Sequence, residues 1–333
     1  MTAFSAAKAW SLNEKDFLDL LESGTFVPRS GKVRFYAPSF AYQKAKPNGC
    51  SLKFPTISVT GNACALGCKH CGSKVLETMQ PAKSPDELFE LAKKLKRDGA
   101  VGCLVSGGCM PNGSVPLGEF ILVLGRMKRE LGLTVIVHTG VVNLATAKAL
   151  KEADVDAALI DVIGSHDTMK RVCNLDAPSS YYEDSLSALR SAGLCFVPHV
   201  IVGLHNGTLD GEFEALQMIS KYKPSALVII AFMPIRGTEM EHVKPPSPAD
   251  IAKVVATARL MFPETPLSLG CMRPKGKDRV ETDVLALKAG VDAVAFPSEE
   301  AVEYAEAHGF DVTFSPYCCS QIYVDTTARS ASK

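Results

Sequence analysis

The sequence predicts an α/β protein folded as a (β/α)8 barrel, or as a partial TIM-like barrel, with parallel strands. Eight short apolar segments alternate with eight amphipathic ones, which is the pattern of parallel strands joined by right-handed helical crossovers. The apolar segments are hydrophobic almost throughout, as is typical of strands buried on both faces. At 333 residues the chain is long enough for one large barrel. A doubly wound open sheet is the alternative that the same pattern allows.

The apolar segments predict strands at residues 54–60, 101–106, 134–138, 157–161, 195–202, 227–232, 266–269 and 293–296, with a short ninth strand at 311–314. The eight amphipathic segments predict helices at residues 85–97, 118–131, 144–152, 182–191, 211–222, 248–261, 280–288 and 298–308, and a further helix is predicted before them at 14–22. Ser84 and Ser247 are each followed by proline, and serine as N-cap with proline in the first turn favours the start of a helix.

Three segments follow from this order of elements. Residues 1–50 contain one amphipathic helix and a polar stretch, and we expect them to form an N-terminal cover over the barrel. Residues 51–315 contain the repeated strands and helices and are expected to form the barrel. Residues 316–333 are expected to form an irregular C-terminal tail that carries two adjacent cysteines, Cys318 and Cys319.

Composition excludes several classes of function. Lysine and arginine number 36 and aspartate and glutamate also 36, so the formal net charge is zero. A dedicated nucleic-acid or anionic-membrane binder needs surplus cations, so we expect neither partner. The longest apolar runs have about ten residues, which is half of a membrane span. No signal peptide is recognisable. The protein is therefore expected to be cytoplasmic.

The strongest chemical signal is a cluster of cysteines directly after the first predicted barrel strand. Cys64, Cys68 and Cys71 fall within eight residues of sequence. Gly61 and Gly67 allow the tight path that would bring the three thiols together. Loops at the carboxyl ends of barrel strands form active sites, so this position favours a catalytic metal centre.

Two kinds of metal centre fit three thiols in one loop. An iron–sulfur cubane usually takes four thiolates, and three would leave one iron open for chemistry. A structural zinc site needs four ligands, and His70, between two of the cysteines, is not expected to join them on one ion. The strand-then-loop context favours the iron–sulfur cluster.

The CxxxCxxC motif at this position resembles the signature of the radical S-adenosylmethionine (SAM) superfamily. The resemblance implies a radical SAM barrel in which Cys64, Cys68 and Cys71 hold a [4Fe–4S] cluster whose open iron binds SAM. It also implies that one electron from the cluster cleaves SAM to methionine and a 5′-deoxyadenosyl radical, which abstracts hydrogen from an unactivated carbon. His70 takes the place of the residue that leans on the SAM adenine.

The resemblance extends to other segments. Ser106, Gly107 and Gly108 end the second barrel strand, where the family has a Gly-Gly-Glu-like edge that binds the SAM amino group. Cys109 stands in place of the acid of that motif. Gly203 lies in a segment that resembles the strand beside adenine, although a buried strand ending in a glycine turn would look the same. Asp161 matches an acid that faces the SAM ribose in biotin synthase.

The segments at 258–273 and 287–292 resemble the C-terminal region shared by biotin synthase and thiamine-synthesis enzymes. Ser268 occupies the place of an arginine that supports the second cluster of biotin synthase, and the third barrel strand offers no cysteine. A [2Fe–2S] site of the biotin-synthase type is therefore not expected. Residues that remain available for an auxiliary cluster are Cys50, Cys109, Cys271, Cys318 and Cys319.

The motif, the Cys-Met-Arg-Pro segment and the Cys-Cys tail resemble the two-component lipoyl synthases of archaea and some bacteria. This resemblance implies sulfur insertion into a protein-bound octanoyl chain, which makes the enzyme a sulfurtransferase. It further implies an octanoylated carrier protein, a second radical SAM subunit, and ferredoxin or flavodoxin as electron donor. Two alternatives remain: a radical SAM mutase, methylase or cofactor maturase without sulfur insertion, and a non-catalytic metal-binding partner.

Other polar residues at predicted strand ends are candidates for substrate contact. His138, His199 and His205 are candidates for proton handling, although each alone is more often structural. Arg236 and Arg273 are candidates for binding a carboxylate. Buried cysteine commonly acts as a small hydrophobe, and this is the expected role of three cysteines: Cys103, Cys173 and Cys195.

Overall fold

A single curled sheet of eleven parallel strands organises the chain. The computed structural model describes residues 5–37, 53–178 and 180–327. The strands are β1 Lys32–Tyr36, β2 Thr56–Ser58, β3 Gln80–Pro81, β4 Gly102–Ser106, β5 Thr134–His138, β6 Ala157–Asp161, β7 Phe196–Val202, β8 Leu227–Ala231, β9 Leu267–Leu269, β10 Ala293–Ala295 and β11 Asp311–Ser315.

The strand order identifies the sheet as a partial TIM-like barrel. It runs β11-β1-β10-β9-β8-β7-β6-β5-β4-β2-β3, and every pairing between neighbours is parallel. From β4 to β10 each strand lies beside the next one in the chain, whereas a doubly wound sheet reverses direction part-way. The partial-barrel prediction is confirmed, and the doubly wound alternative is wrong.

Except for the last one, which lies inside the barrel, the helices pack on the outer face of the sheet. They are α1 Ala6–Ser11, α2 Glu14–Glu22, α3 Pro85–Arg97, α4 Ile121–Leu131, α5 Leu144–Glu152, α6 His166–Arg171, α7 Ser180–Ser191, α8 Glu212–Ser220, α9 Pro248–Met261, α10 Lys277–Lys288, α11 Glu299–Ala307 and α12 Ile322–Thr327. Ser84 accepts a hydrogen bond from the Glu87 N–H, and Ser247 and Asp250 form a capping box. These caps explain why α3 and α9 begin where the sequence predicts.

The N-terminal segment is more than a cover. Sequence analysis assigned residues 1–50 to a cover and found α2, but it missed β1, which lies in the sheet between β10 and β11. Residues 32–36 pair in register with residues 311–315. The barrel therefore takes one of its strands from the segment that precedes its expected start. Residues 38–52, including Cys50, lie outside the described residues.

The C-terminal tail enters the barrel. Sequence analysis expected an irregular tail, but Cys319, Ile322 and Tyr323 are buried among the inward-facing side chains of the strands. The Tyr323 hydroxyl donates a hydrogen bond to the Asp156 carbonyl oxygen, 2.9 Å away, at the amino end of β6. The tail therefore fills the amino-end part of the interior, and the carboxyl-end part remains for a site.

In the described part of the chain, no helix has both the length and the apolar character of a membrane span.

Candidate active site

The cysteine loop, residues 61–72, follows β2 at the carboxyl end of the sheet. Gly61 and Gly67 have φ of 59° and 53°, a region that favours glycine. The Ser58 hydroxyl donates to the Gly61 carbonyl at 2.6 Å, and the Gly72 N–H donates to the Cys68 carbonyl at 2.7 Å. Both ends of the loop are thus held by hydrogen bonds, at the face where parallel barrels place their active sites.

The three thiols of the loop do not share one environment. The sulfur atoms of Cys68 and Cys71 lie, together with one ring nitrogen of His70, within 4.8 Å of one another. Cys64 is outside that group, and its sulfur accepts a hydrogen bond from the Cys109 N–H at 3.3 Å. The loop therefore brings two of the predicted ligands close together and the third nearby.

Hydrogen bonds between thiols set their acidity. Donation by Cys109 lowers the pKa of Cys64 to about 4. Hydrogen bonding with the Cys173 thiol raises the pKa of Cys68, and hydrogen bonding with Cys68 raises the pKa of Cys71 to about 12. Thiolates are the metal-binding form, so metal binding here would release protons from Cys68 and Cys71.

His70 lies closer to the thiols than the sequence suggested. We expected that it could not easily share an ion with its neighbouring cysteines, but its ring nitrogen lies within reach of both sulfurs. Its buried Nδ1 has no hydrogen-bond partner among the described residues. A buried polar atom without a partner is costly, which suits a side chain that contacts a ligand.

The predicted edge after β4 touches the cysteine loop. The Gly108 N–H donates to the Thr60 hydroxyl at 2.7 Å. A Cβ atom at Gly108 would lie 2.0 Å from the Ala63 carbonyl oxygen and 2.6 Å from the Cys64 Cα, so this position requires glycine. The Ser106 carbonyl accepts the Val59 N–H, and its hydroxyl donates to the His138 carbonyl. The carbonyl and the hydroxyl of Ser106 therefore both form hydrogen bonds within the sheet.

A segment after α6 supports the cysteine loop from the other side. The Lys69 N–H donates to the Val172 carbonyl at 2.8 Å, and the Cys68 thiol donates to the Cys173 carbonyl at 3.4 Å. The Asn174 amide donates to the Leu66 and Gly67 carbonyls. Sequence analysis treated Cys173 as a core residue only. It is buried, and no spacing motif connects it to a loop about a hundred residues earlier.

Asp161 lies in the barrel interior beside two histidines. Its carboxylate Oδ1 is 3.3 Å from His138 Nε2, and the His138 and His199 rings are 5.9 Å apart between centroids. Although burial opposes ionisation, the charge of His138 holds the pKa of Asp161 at about 2. Burial lowers the pKa of His199 to about 4. Asp161 is therefore a carboxylate and His199 a neutral imidazole at neutral pH.

The tail cysteines pack in the interior cluster of the barrel, in the region of Cys271, which follows β9. Cys318 and Cys319 hydrogen-bond to each other, which lowers the pKa of Cys318 to about 7 and raises that of Cys319. The charge of Cys318 acts on Cys271, but the sulfur atoms of Cys271, Cys318 and Cys319 do not all lie within 4.8 Å of one another. Cys271 is exposed. Cys109, beside Cys64, does not join this group.

Arg273 is not available to a substrate. We expected it to be a carboxylate clamp, but its side chain is fully buried and donates to Asp283 Oδ1 at 2.7 Å. It also donates to the carbonyls of Gly270 and Ala295. Such a buried pair fixes the loop after β9 and hence the position of Cys271. Arg236 is exposed.

Gly203 has a structural reason to be glycine. Its φ is 72°, and a Cβ atom there would lie 2.7 Å from the Pro246 ring. Its N–H donates to the buried Glu212 carboxylate at 2.8 Å. His205, the third candidate histidine, contacts the Thr168 hydroxyl through Nδ1 at 2.9 Å. These contacts account for both residues without a ligand.

Comparison with known proteins identifies the domain that contains these residues. The family model of the radical SAM superfamily matches residues 58–219, which include the cysteine loop, the edge after β4, Asp161 and Gly203. Over this segment, which is just under half of its 333 residues, the chain fits the radical SAM superfamily. Radical SAM chemistry therefore implies a [4Fe–4S] cluster and SAM as cofactors, and the enzyme class predicted from the sequence is confirmed at this level.

The relatives of this radical SAM chain include biotin synthases at low identity. That of Zymomonas mobilis is 25% identical over 262 residues, covering 73% of this chain and 73% of the relative. That of Buchnera aphidicola is 24% identical over 298 residues, covering 87% and 82%. The chain thus fits the biotin synthase-like branch, as its motifs predicted.

Solved structures support the fold. Methylornithine synthase (PylB) superposes with a TM-score of 0.63 at 17% identity, covering 97% of this chain and 95% of that one. The FeFe-hydrogenase maturase HydG of Carboxydothermus hydrogenoformans gives a TM-score of 0.62 at 15% identity, covering 93% and 75%. At these identities the likeness concerns the barrel alone.

Proposed function

We propose that Cys64, Cys68 and Cys71 hold a [4Fe–4S] cluster with which the chain cleaves SAM. The observation that carries the proposal is the contact between the CxxxCxxC loop and the Gly107–Gly108 edge at the carboxyl ends of the strands. When bound, the cluster supplies one electron that cleaves SAM to methionine and a 5′-deoxyadenosyl radical, which abstracts hydrogen from an unactivated carbon.

The residues present fit this cofactor. Three cysteine thiols on one loop satisfy three irons of a cubane and leave the fourth for SAM. Cys64 already has the acidity of a ligand, because its pKa is about 4. The absence of a side chain at Gly108 keeps the edge against the loop, which brings the backbone carbonyls of the edge near the open position.

Other residues would bind the rest of SAM. We assign the SAM amino group to Gly107 and Gly108, with Ser106 positioning this edge through its hydrogen bonds within the sheet. His70, with its unpartnered Nδ1, would contact the adenine, and Gly203 would line the strand beside it. Asp161 uses Oδ1 toward His138, so Oδ2 would face the ribose.

The barrel interior would hold the substrate carbon. The tail fills the amino-end part of the interior, so substrate and SAM must meet in the carboxyl-end part. Because the amino-end part is filled, water would be kept from the radical. The confined interior would also hold the C–H bond that is to be broken in position.

We further propose that the reaction is sulfur insertion into a protein-bound octanoyl chain, as in lipoyl synthases. Its support is the presence of Cys271, Cys318 and Cys319 in one region of the barrel, from which side-chain movement would have to bring the three thiols together to hold an auxiliary cluster as sulfur source. They follow β9 and β11, whereas the radical SAM loop follows β2, with five strands between β2 and β9 in the sheet. The two thiol groups would thus act from different sides of the interior.

This reaction defines the partners. The acceptor would be an octanoylated carrier protein, and a second radical SAM subunit would share the two insertions. Ferredoxin or flavodoxin would deliver the electrons.

Substitution of the tail cysteines tests the sulfur-insertion proposal. Cys318→Ala with Cys319→Ala should remove about half of the iron, as expected for the loss of one cubane of two, while reductive SAM cleavage persists. Sulfur transfer to the octanoylated acceptor should vanish. Cys103→Ala is the matched control, because Cys103 lies within β4 and packs in a different hydrophobic cluster from the tail, and it should retain full iron and product.

A radical enzyme without sulfur insertion is the competing function. A mutase, methylase or cofactor maturase needs only the cluster at Cys64, Cys68 and Cys71. If the double variant keeps full iron and full product, the tail cysteines are structural and this second function is the better account. If SAM is not cleaved by the unsubstituted chain, the chain is a non-catalytic metal-binding partner.

A further inference from the structure

Three neighbouring strands each direct one metal-ligand side chain into the barrel interior. His138 ends β5, Asp161 ends β6, and His199 lies within β7 directly opposite Asp161 in the register. Side chains two residues apart on a strand share a face. Ile136, Leu159 and Val197, each two residues earlier, pack in the interior cluster, so all three candidate ligands face inward.

These side chains converge on one point. One ring nitrogen of each histidine and one carboxylate oxygen of Asp161 all lie within 4.8 Å of one another. In a metal site the bonds to such atoms are about 2.0–2.2 Å long. Small rotations of the three side chains would bring their donor atoms to that distance around a shared centre.

The surroundings contain polar atoms that lack partners. His199 is 8% exposed, and its Nδ1 has no hydrogen-bond partner among the described residues. The inward-facing Ser268 hydroxyl and the Gln321 carbonyl oxygen, both buried, are in the same condition. Buried polar atoms are normally satisfied, so this concentration in one interior indicates a polar ligand.

We propose that His138, Asp161 and His199 bind one divalent transition-metal ion. Two imidazoles and one carboxylate form a ligand set that suits such ions and leaves coordination positions open. Ser320 of the tail approaches His199 Nε2 at 3.4 Å, so one ring nitrogen of His199 already has a polar neighbour. An oxygen or nitrogen atom of a substrate would bind at the open coordination positions.

This site uses none of the thiols, although it shares Asp161 with the proposed SAM site, and its detection does not depend on the proposed function. No cysteine belongs to the group of three. The site would therefore persist in a chain that lacks the radical SAM cysteines, and sulfur transfer plays no part in its detection.

Titration of the cluster-free full-length chain with Co²⁺ tests the proposal. Thiolate-bound Co²⁺ gives an intense charge-transfer band, whereas Co²⁺ bound by nitrogen and oxygen gives only weak visible bands. We expect the unsubstituted chain to bind one equivalent of Co²⁺ through nitrogen and oxygen atoms. Cys64→Ala, Cys68→Ala and Cys71→Ala together should reduce the charge-transfer band and leave that equivalent in place.

Variants of the three ligands should show the opposite pattern. His138→Ala, His199→Ala and the isosteric Asp161→Asn should each weaken the nitrogen–oxygen site at least about tenfold. The charge-transfer band of the thiolates should persist, which shows in the same sample that the chain is folded. His242→Ala is the control, because the His242 side chain is 93% exposed. The proposal is overturned if all bound Co²⁺ shows thiolate bands or if the three variants bind Co²⁺ as the unsubstituted chain does.

Discussion

Single residues decide how closely the cysteine loop and the Gly107–Gly108 edge, the two parts of the proposed SAM site, approach each other. Gly108 has no space for a Cβ atom because the Ala63 carbonyl and the Cys64 Cα would both be closer than van der Waals contact. The acid expected after Gly-Gly is replaced by Cys109, which hydrogen-bonds to Cys64. The departure from the family pattern therefore falls at a residue that adjusts the acidity of a predicted cluster ligand.

Gly108→Ala should separate the edge from the cysteine loop. The clash is with backbone, which cannot rotate away, so we expect a destabilisation of about 1–3 kcal/mol and a lower iron content after reconstitution. Gly118→Ala is the control, since a Cβ atom there meets nothing within 4 Å. Iron analysis and thermal unfolding measure both effects. Equal iron in the two variants would contradict the proposed contact.

Glu212 should make stability depend on pH. Burial raises its pKa from an ordinary 4.5 to about 7, and the nearby charge of Asp210 acts in the same direction. Between those values the folded state binds more protons than the unfolded state, so the free energy of unfolding falls as pH rises from about 4.5 to 7. The loss amounts to about 3 kcal/mol at most.

Glu212→Gln should remove this part of the pH dependence while keeping an acceptor for the Gly203 N–H. Urea unfolding of the cluster-free protein at several pH values between about 5 and 8 measures the slope. The exposed Glu214→Gln, in the same helical turn, is the control. If the free energy of unfolding depends on pH equally in the unsubstituted chain and in Glu212→Gln, Glu212 does not titrate in this range.

At the scale of elements, the strands with a continuous apolar pattern are those that the sequence predicts correctly. β5 and β6 have the bounds that the sequence predicts, because strands buried on both faces are continuous apolar runs. β1 was missed because Lys32 and Arg34 interrupt its apolar residues and its partners lie more than 250 residues away in the chain. α12 was missed because its place inside the barrel depends on the finished sheet.

In the candidate site too, residues close in sequence were predictable and contacts between distant segments were not. The loop spacing predicts Cys64, Cys68 and Cys71 as ligands, since the three cysteines lie within one short segment, and the structure brings Cys68 and Cys71 close together. The support from residues 172–174 and the burial of Arg273 by Asp283 were not predictable, because those partners are brought together only by folding. Sequence patterns show local groups of ligands, whereas contacts between distant segments need the structure.

The cysteine loop should gain order when the cluster binds. Without metal, the partners of its thiols among the described residues are one another, His70, backbone groups of the loop, and the Cys109 and Cys173 segments. Metal binding couples to local folding, so limited proteolysis should cut residues 61–72 in the cluster-free protein and spare them in the reconstituted protein. Equal cleavage in both forms, mapped by mass spectrometry, would show that the loop is ordered by the protein alone.

At the scale of the whole molecule, the sheet places different chemistry on different sides of one interior. The cysteine loop follows β2, the histidines and Asp161 lie on β5 to β7, and the second thiol group follows β9 and β11. The tail fills the amino-end part of the interior. A radical formed at the carboxyl end would therefore meet a substrate that enters from that end.

The iron content and SAM cleavage of the anaerobically reconstituted protein test the central claim most directly. The unsubstituted chain should hold at least about four iron atoms and cleave SAM when reduced. Cys64→Ala, Cys68→Ala and Cys71→Ala together should remove about four irons and abolish 5′-deoxyadenosine formation, whereas Cys195→Ala should change neither. Reductive SAM cleavage by the triple variant would contradict the assignment of these three cysteines.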